Sequence, residues 1–284
     1  MASSINCSFC HNEVPAPSQA CPHCGRPGNF WNVIAANEPE ERETLDRRYQ
    51  AARRDASDRN VEAALDAFEN AVADSKAAIS RYYSEVLRLV SSTRQLYGTY
   101  YQLREANLRL PDGSDWDIVR ELADSVLFPN YKDQIRFGAL TLDRRGLSNY
   151  GDCSIVLREK MIADRTSVFE ENSARFVERH AIRISRKSKV PQGHRATWSQ
   201  RARLGVAKLH SKIDSTTTRD KYSDILLKTG ATSADDDFIE VHVFGPITVL
   251  TMERVIVMAP QAFRRATIIR AIKSKLAKQD VQVN

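Results

Sequence analysis

The stretch DDFIEVHVFG, residues 236–245, has the alternating pattern of a β-strand. Successive side chains of a strand point to opposite faces, so its aliphatic and polar residues separate. One face carries three aliphatic side chains: Ile239, Val241 and Val243. Glu240 and His242 share the other face with two phenylalanines. Two interpretations are open: the polar pair faces solvent on an amphipathic strand, or it lines a reaction pocket.

The composition predicts a soluble globular protein with more than one structural unit. Of the 284 residues, 42% are hydrophobic and 27% are charged. No apolar run approaches the roughly 20 residues needed to cross a bilayer. Residues 1–10 lack both the basic and the apolar region of a secretory signal. We therefore predict a cytoplasmic protein without membrane contact.

Cationic residues concentrate in two stretches of a chain whose formal net charge is +6. Residues 175–212 contain eleven Lys or Arg and one acid, and residues 259–279 contain six and no acid. Clustered cations attract phosphates, so a polyanionic partner, RNA or DNA, is one interpretation. The alternative is a basic surface that acidic residues elsewhere in the chain balance.

The N-terminal 30 residues carry a metal-binding pattern. Four of the five cysteines form two CxxC pairs: Cys7 with Cys10, and Cys21 with Cys24. Each pair can present two thiolates from a tight turn, and the ten-residue gap returns the chain to complete a tetrahedron. We predict a zinc ribbon over residues 1–30 with one structural Zn²⁺. Cys153 lies in an apolar run and is predicted to be an inert core thiol.

Residues 31–96 are predicted to be a helical, coiled-coil-like linker, with helix from 38 to about 96. Pro39 and the acids around it suit a helix N-terminus. Apolar residues recur with 4-3-4 spacing from Val61 to Val90, which indicates a narrow apolar stripe. The helix either joins the ribbon to the main domain or mediates contacts with a partner protein or a second copy.

Residues 97–284 alternate between strand and helix patterns. The composition of residues 96–103, LYGTYYQL, is typical of a strand, and the pattern of 116–128 predicts a helix. The remaining expected strands are 135–142, 149–159, 165–169, 236–245 and 251–258, with helices at 197–213 and 261–279. No GxGxxG or GxxxxGK[ST] motif supports a nucleotide site of those types. The predicted fold class is α+β: a small zinc ribbon, a long helical segment and a mixed α+β domain.

The order of these segments resembles the ADP-ribosyltransferase superfamily in its divergent bacterial toxin-like branches. The similarity covers roughly residues 97–260 and rests on five motifs: IRFGAL, YGDCSIVLRE, DRTSVF, DFIEVHVFGPIT and ERVIV. It implies an NAD-dependent transferase with an early basic residue, middle-strand hydroxyls and a late-strand glutamate. Glu240 matches the catalytic glutamate, and Thr166 and Ser167 match the hydroxyls.

The resemblance leaves the remaining cofactor-binding residues open. The early basic residue has three candidates: Arg104, Arg136 and Arg144. Arg165 is a further candidate for the cofactor, or a surface ion-pair partner. Tyr150 could form part of an apolar wall for NAD+. His242 could orient an acceptor or serve as a general base. Phe238 replaces the first glutamate of the family's Glu-x-Glu variant, which argues against arginine side chains as the acceptor.

Three functions follow from these patterns. The first is an intracellular bacterial toxin or anti-phage defence effector that transfers ADP-ribose to a macromolecule, possibly RNA or DNA, and is held by an inhibitory partner such as an antitoxin. The second is a non-enzymatic zinc-ribbon adaptor that binds nucleic acid or protein. The third is a metal-dependent hydrolase or nuclease using hard ligands. Its ligands would be Asp235, Asp236, Asp237, Glu240 and His242.

Overall fold

The protein is mixed α/β, as a computed structural model shows for residues 4–7, 10–15, 18–25, 27–105, 115–182, 190–258, 263–279 and 281–283. The helices of these residues are α1 (Trp31–Ala36), α2 (Pro39–Asp58), α3 (Glu62–Ala73), α4 (Tyr83–Leu89), α5 (Tyr100–Glu105), α6 (Asp115–Leu127), α7 (Glu159–Ile162), α8 (Ser173–Arg179), α9 (Arg201–Leu209), α10 (Tyr222–Leu226) and α11 (Phe263–Ala277).

Strands alternate with these helices along the chain. They are β1 (Ser4–Asn6), β2 (Glu13–Pro15), β3 (Ser18–Ala20), β4 (Pro27–Asn29), β5 (Lys76–Arg81), β6 (Ile135–Thr141), β7 (Cys153–Leu157), β8 (Thr166–Phe169), β9 (Arg195–Thr197), β10 (Leu227–Lys228), β11 (Asp237–Phe238), β12 (Glu240–Phe244), β13 (Met252–Val257) and β14 (Gln282–Val283). Short 3-10 turns precede β6, β8, α9 and β13.

An eight-stranded sheet organises the molecule, in the order β14-β13-β7-β5-β6-β12-β8-β9. Neighbours are antiparallel except β13 and β14. Three smaller two-stranded pairs lie outside it: β1-β2, β3-β4 and β10-β11. The stretch that opened the sequence analysis supplies β12, which lies between β6 and β8. Its backbone is therefore paired along both edges.

The two faces of the sheet pack against different helices. On one face, the aliphatic side chains of β12 join a large core with buried residues of α2, α3, α9 and α11. On the other face, Phe169 and Phe244 join a second cluster rich in aromatic residues, to which α6 and α8 contribute. Glu240 is on this second face, since it pairs across the strands with Ala139 and Phe169.

The prediction of one long helix over residues 38–96 is wrong in the middle of that segment. Helices α2 and α3 form as expected, but Lys76–Arg81 is a strand that pairs with both β6 and β7. Ala77 and Ile79 are each 1% exposed, and sheet pairing buries them from both sides. The 4-3-4 spacing continued through this strand by coincidence, because tertiary pairing overrides a weak helical preference.

The apolar stripe of the same segment is buried within the chain itself. Leu65, Phe68 and Val72 of α3 are fully buried and belong to the large core. Residues 31–96 thus supply a strand and several packed helices to the same sheet as the later segments. A partner protein is not needed to cover this stripe.

Most other predicted elements are confirmed. The helix expected at 116–128 is α6, the strands expected at 135–142 and 165–169 are β6 and β8, and that expected at 251–258 is β13. The strand character expected for residues 96–103 is wrong, because Tyr100–Glu105 is helical. Within the described part of the chain, no helix has the length and apolarity that a membrane crossing requires.

Candidate functional site

The four N-terminal cysteines lie together at the ends of two β-hairpins. Their Sγ atoms all fall within 4.8 Å of one another. Cys7 Sγ is 3.8 Å from Cys24 Sγ, and Cys10 Sγ is 3.6 Å from Cys21 Sγ. Four sulfurs at about 2.3 Å from one tetrahedral ion are separated by about 3.8 Å. The set could therefore hold a metal ion such as zinc.

The backbone of the two cysteine turns is built alike. The residue after each CxxC has a left-handed conformation, with φ of 59° at His11 and 69° at Gly25. Each donates its N–H to the carbonyl of the first cysteine of its pair, His11 to Cys7 at 3.0 Å and Gly25 to Cys21 at 2.8 Å. Glycine adopts this conformation without steric cost at Gly25, whereas His11 adopts it with a side chain.

Glu240 and His242 are buried side chains. They are 3% and 2% exposed, although β12 begins at Glu240 itself. The interpretation that they face solvent is therefore wrong. Every residue of β12 is buried, since α6 and α8 cover the face on which the two polar side chains lie.

Glu240 makes three polar contacts that stabilise its charged form. Its Oε1 accepts from Arg120 Nη1 at 3.3 Å, and its Oε2 accepts from the backbone N–H of Ser173 at 3.0 Å. His242 Nε2 lies 2.9 Å from the same Oε2. Burial alone raises the pKa of Glu240, but the Arg120 charge and these hydrogen bonds together lower it to about 2. The group is a carboxylate at neutral pH.

His242 is held between aromatic rings and its own strand neighbour. The rings of Phe128, Phe137 and Phe169 lie with centroids 4.8, 5.4 and 5.8 Å from that of the imidazole. Because a carboxylate only accepts hydrogen bonds, Nε2 must carry the proton that joins it to Glu240. The imidazole is thereby fixed in tautomer and orientation.

A residue that sequence patterns did not single out, Arg120, connects Glu240 to helix α6. Its Nε is 3.1 Å from Asp124 Oδ1, and its Cζ lies 3.8 Å from the centroid of the Phe137 ring. Tyr101 OH donates to Asp124 Oδ2 at 2.8 Å. The i,i+4 spacing of Arg120 and Asp124 on a predicted helix was a readable signal. Nothing in the sequence indicated that the pair would meet Glu240.

Beside Glu240, two buried polar atoms have no hydrogen-bond partner among the residues that the structure describes. They are Arg120 Nη2 and Ser173 Oγ. Unsatisfied buried polar atoms are uncommon in folded proteins and call for an explanation. Glu240 also lies where two apolar clusters meet, with Phe169 in one and Ala139 in the other. The position is suited to a polar ligand group inserted between the clusters.

The predicted hydroxyl residues separate to opposite faces of β8. Ser167 pairs with His242 across the strands and therefore shares the face of Glu240. Asn32 of α1 donates to Ser167 Oγ at 3.2 Å and to the His242 carbonyl at 2.9 Å. Thr166 is fully buried on the other face, where its hydroxyl donates to the Ile162 carbonyl at 2.7 Å. Thr166 therefore does not lie beside Glu240.

Tyr150 is half-buried near Glu240. Burial, followed by the charge of Glu240, raises the pKa of its phenol to about 12. Asn172 Nδ2 donates to Tyr150 OH at 3.5 Å, and the same side chain caps α8 through the N–H groups of Ala174 and Arg175. The structure thus brings the predicted wall residue to the carboxylate.

The predicted arginines do not gather at Glu240. Arg136 projects from β6 on the face opposite to Glu240, since it pairs with Val243. Arg165 contacts the carbonyl of Phe244 at the far end of β12. Arg144 is exposed in the turn after β6, with φ of 68°. The side chain of Arg104 lies outside the described part of the structure.

The acidic ligands expected for a hydrolase are also kept apart. Asp236 Oδ1 accepts from Asn149 Nδ2 and from the Gly230 N–H, both at 2.8 Å. Asp237 forms ion pairs with Lys208 and Lys212. Among the described residues, the cysteines are the one group of three or more metal-ligating side chains. Asp235 hydrogen-bonds to Thr232 in the loop before β11.

The basic stretch 175–212 is largely neutralised by acids from other parts of the chain. Each of its seven cations in the described residues is ion-paired: Arg175 with Glu178, Arg179 with Glu171, Arg195 with Glu41, Arg201 with Glu159, Arg203 with Asp46, and Lys208 and Lys212 with Asp237. The cations at 183–189 lie outside the described residues. Because these cations are already paired with carboxylates, the stretch supports a polyanionic partner less strongly than its number of Lys and Arg residues suggests.

No protein-family model matches the sequence, and no curated protein shows significant similarity to it. The cysteine set and the Glu240 network are thus interpreted from their own geometry.

Proposed function

We propose that this chain is an NAD-dependent ADP-ribosyltransferase in which Glu240 is the catalytic carboxylate. One observation carries the proposal: a buried, ionised glutamate lies beside two buried polar atoms that lack partners. A carboxylate held ionised in an apolar setting stabilises developing positive charge far more strongly than one in water. Cleavage of the nicotinamide–ribose bond develops such charge on the ribose.

The other residues take supporting roles in this proposal. His242 and Arg120 hold the carboxylate through opposite oxygens, so its orientation is set before substrate arrives. Ser173 Oγ and Arg120 Nη2 are available to hydroxyl groups of the substrate. Ser167 and Tyr150 lie on the same side of the sheet and would line the nicotinamide half. NAD+ is the donor substrate.

The cysteine set would bind a structural Zn²⁺, because four thiolates leave no open position for catalysis. The role of the module is then to bind the acceptor or a partner. The acceptor is proposed to be RNA or DNA, with support from Lys273 and Lys275 of α11 and from Lys278 just after it, which form no ion pair in the described structure. The activity is that of an intracellular toxin or defence effector, with an inhibitory protein as its partner.

The test is incubation of the purified protein with labelled NAD+ and a cell extract, followed by separate nuclease and protease digestion. We expect label on a macromolecule, released by nuclease, and at least a hundredfold lower activity for Glu240→Gln (about 3 kcal/mol of transition-state stabilisation). Glu41→Gln is the matched control, since Glu41 is also a buried carboxylate but bonds to backbone N–H groups elsewhere. It should retain activity.

Circular dichroism and thermal unfolding must show that both variants are folded at the assay temperature. Absence of NAD+ cleavage by the folded wild-type protein, or full activity of folded Glu240→Gln, would contradict the proposal. Nucleic-acid binding without NAD+ cleavage would instead favour the non-enzymatic adaptor.

A further inference from the structure

The guanidinium groups of Arg136 and Arg165 meet at one end of the β6–β12 ladder. Arg136 Nη1 donates to the Gln134 carbonyl at 2.8 Å, and that carbonyl also accepts from Gly245 N at 2.9 Å. Arg165 Nη1 donates to the carbonyl of Phe244, the residue before Gly245. The two cations are therefore anchored to adjacent carbonyls at the same end of the ladder.

Among the described residues, no carboxylate lies within hydrogen-bond or ion-pair distance of either arginine. The remaining acceptors are neutral: Gln102 Oε1 at 3.1 Å from Arg136 Nη2, and the Met161 carbonyl at 3.0 Å from Arg165 Nε. Other deeply buried arginines of this chain are paired with carboxylates, as Arg201 is with Glu159. The pair is thus two formal positive charges held by amide and backbone carbonyl oxygens, and Asp133 stabilises Arg136 only through a longer-range charge interaction.

The burial of this charge is costly. Arg136 is 3% exposed, and its buried Nε has no hydrogen-bond partner within the described part of the chain. Burial lowers the pKa of both guanidinium groups to about 10, and repulsion from Arg165 adds to the shift at Arg136. Burying an ion without a counter-charge is unfavourable, and a bound anion would offset that cost.

We propose that Arg136 and Arg165 form a binding site for a phosphate group, carried either by inorganic phosphate or by a small phosphorylated molecule. A phosphate group carries about one and a half to two negative charges at neutral pH, which suits two guanidinium groups. Arginine binds phosphate oxygens through two parallel N–H bonds, and Arg136 Nε is a donor still available for one. Arg165 is only half-buried and provides the approach from solvent.

This site is separate from the Glu240 site. Arg136 projects from the opposite face of the sheet, and its cross-strand neighbour Val243 is three residues from Glu240, about 10 Å along the strand. The inference does not depend on the proposed transferase activity. A protein without NAD+ cleavage would still bind phosphate here.

Thermal unfolding and isothermal titration calorimetry with inorganic phosphate test the inference, with sodium chloride at equal ionic strength as the reference. We expect phosphate to raise the melting temperature of the wild type and of Glu240→Gln alike. Arg165→Gln should weaken phosphate binding by at least about tenfold. Arg270→Gln is the matched control, because Arg270 is an exposed arginine that contacts only a helix carbonyl. Its affinity should stay within about twofold of the wild type.

A parallel titration with AMP distinguishes inorganic phosphate from a phosphorylated small molecule as the ligand. Tighter binding of AMP than of inorganic phosphate identifies a phosphorylated molecule, and equal binding identifies phosphate itself. The proposed site is overturned if sodium chloride stabilises the protein as much as phosphate does. It is also overturned if Arg165→Gln binds phosphate as tightly as the wild type. If that variant does not fold, hydrogen exchange of the wild type decides. Phosphate should slow amide hydrogen exchange at residues 135–136 and 244–245 more than elsewhere. If exchange at these residues is not slowed selectively, the proposed site is overturned.

Discussion

The cysteine module and the Glu240 network both gather polar side chains, but over very different lengths of chain. Cys7 and Cys24 are 17 residues apart, and two short hairpins bring them together. Glu240 meets Ser173 across 67 residues and Arg120 across 120. The first arrangement follows from local turns. The second exists only after the whole sheet and two helices have assembled. Its stability therefore depends on the packing of the core.

The largest expected effect is on the cysteine module. Cys21→Ser, or removal of metal with a chelator, should unfold residues 4–29, because a structural zinc site of this type contributes about 10 kcal/mol or more to folding. Hydrogen exchange should show loss of protection in β1–β4 and retained protection in β6 and β7. Elemental analysis should give one zinc per chain for the wild type and for Cys153→Ala. Loss of protection throughout the sheet would contradict the independence of the two regions.

The next largest effect is expected from Glu240→Gln at neutral pH. The substitution leaves Arg120 buried with only Asp124 as its acidic partner, and breaking a buried pair costs about 3–5 kcal/mol. Chemical denaturation should show that loss, while zinc content stays unchanged. A loss below about 1 kcal/mol, the range of exposed ion pairs, would mean that Glu240 is not the anchor of the network.

The pH dependence of stability should separate Glu240 from Glu41. The pKa of Glu240 is lowered to about 2, so its stabilising contribution is present above pH 4.5 and is lost as the pH falls toward 2. The total is on the order of 3 kcal/mol. Burial raises the pKa of Glu41, so its contribution is present below pH 4.5 and is lost as the pH rises through the raised value.

The free energy of unfolding between pH 2.5 and 7, measured by urea denaturation, tests these opposite signs. Glu240→Gln should reduce, but not abolish, the loss of unfolding free energy at acid pH. The remainder is expected because the pKa of Glu170 is also lowered to about 2, and Glu170 keeps its own contribution. Glu41→Gln should leave the acid-side loss intact. If the two variants show the same dependence of unfolding free energy on pH, the pKa values of Glu240 and Glu41 are not shifted in opposite directions.

The smallest effect is expected at the cap of α8. Asn172→Ala removes the side-chain oxygen that accepts from Ala174 N and Arg175 N, at a cost of about 1 kcal/mol. The denaturation midpoint should fall slightly with an unchanged m-value, and the zinc content should not change. A loss as large as that of Glu240→Gln would mean that Asn172 orients Ser173 N–H toward the carboxylate as well as capping the helix.

Several features were predictable because their signals are local. The CxxC pairs needed only turn geometry, and the strand 236–245 needed only alternation between aliphatic and other residues. The helix 116–128 was readable from its apolar periodicity. The strand Lys76–Arg81 was not readable, because its pairing partners lie far along the chain and its neighbours on both sides are helical. Sheet pairing decided its conformation.

The sequence by itself determined the cysteine cluster, the identity of β12 and the presence of an odd glutamate and histidine on it. Only the tertiary structure decided that these two side chains are buried, that Arg120 and Ser173 hold the carboxylate, and that Arg136 and Arg165 meet elsewhere without acidic partners. The physical reason is that alternation fixes which face a side chain takes, whereas burial and charge pairing depend on what packs against that face.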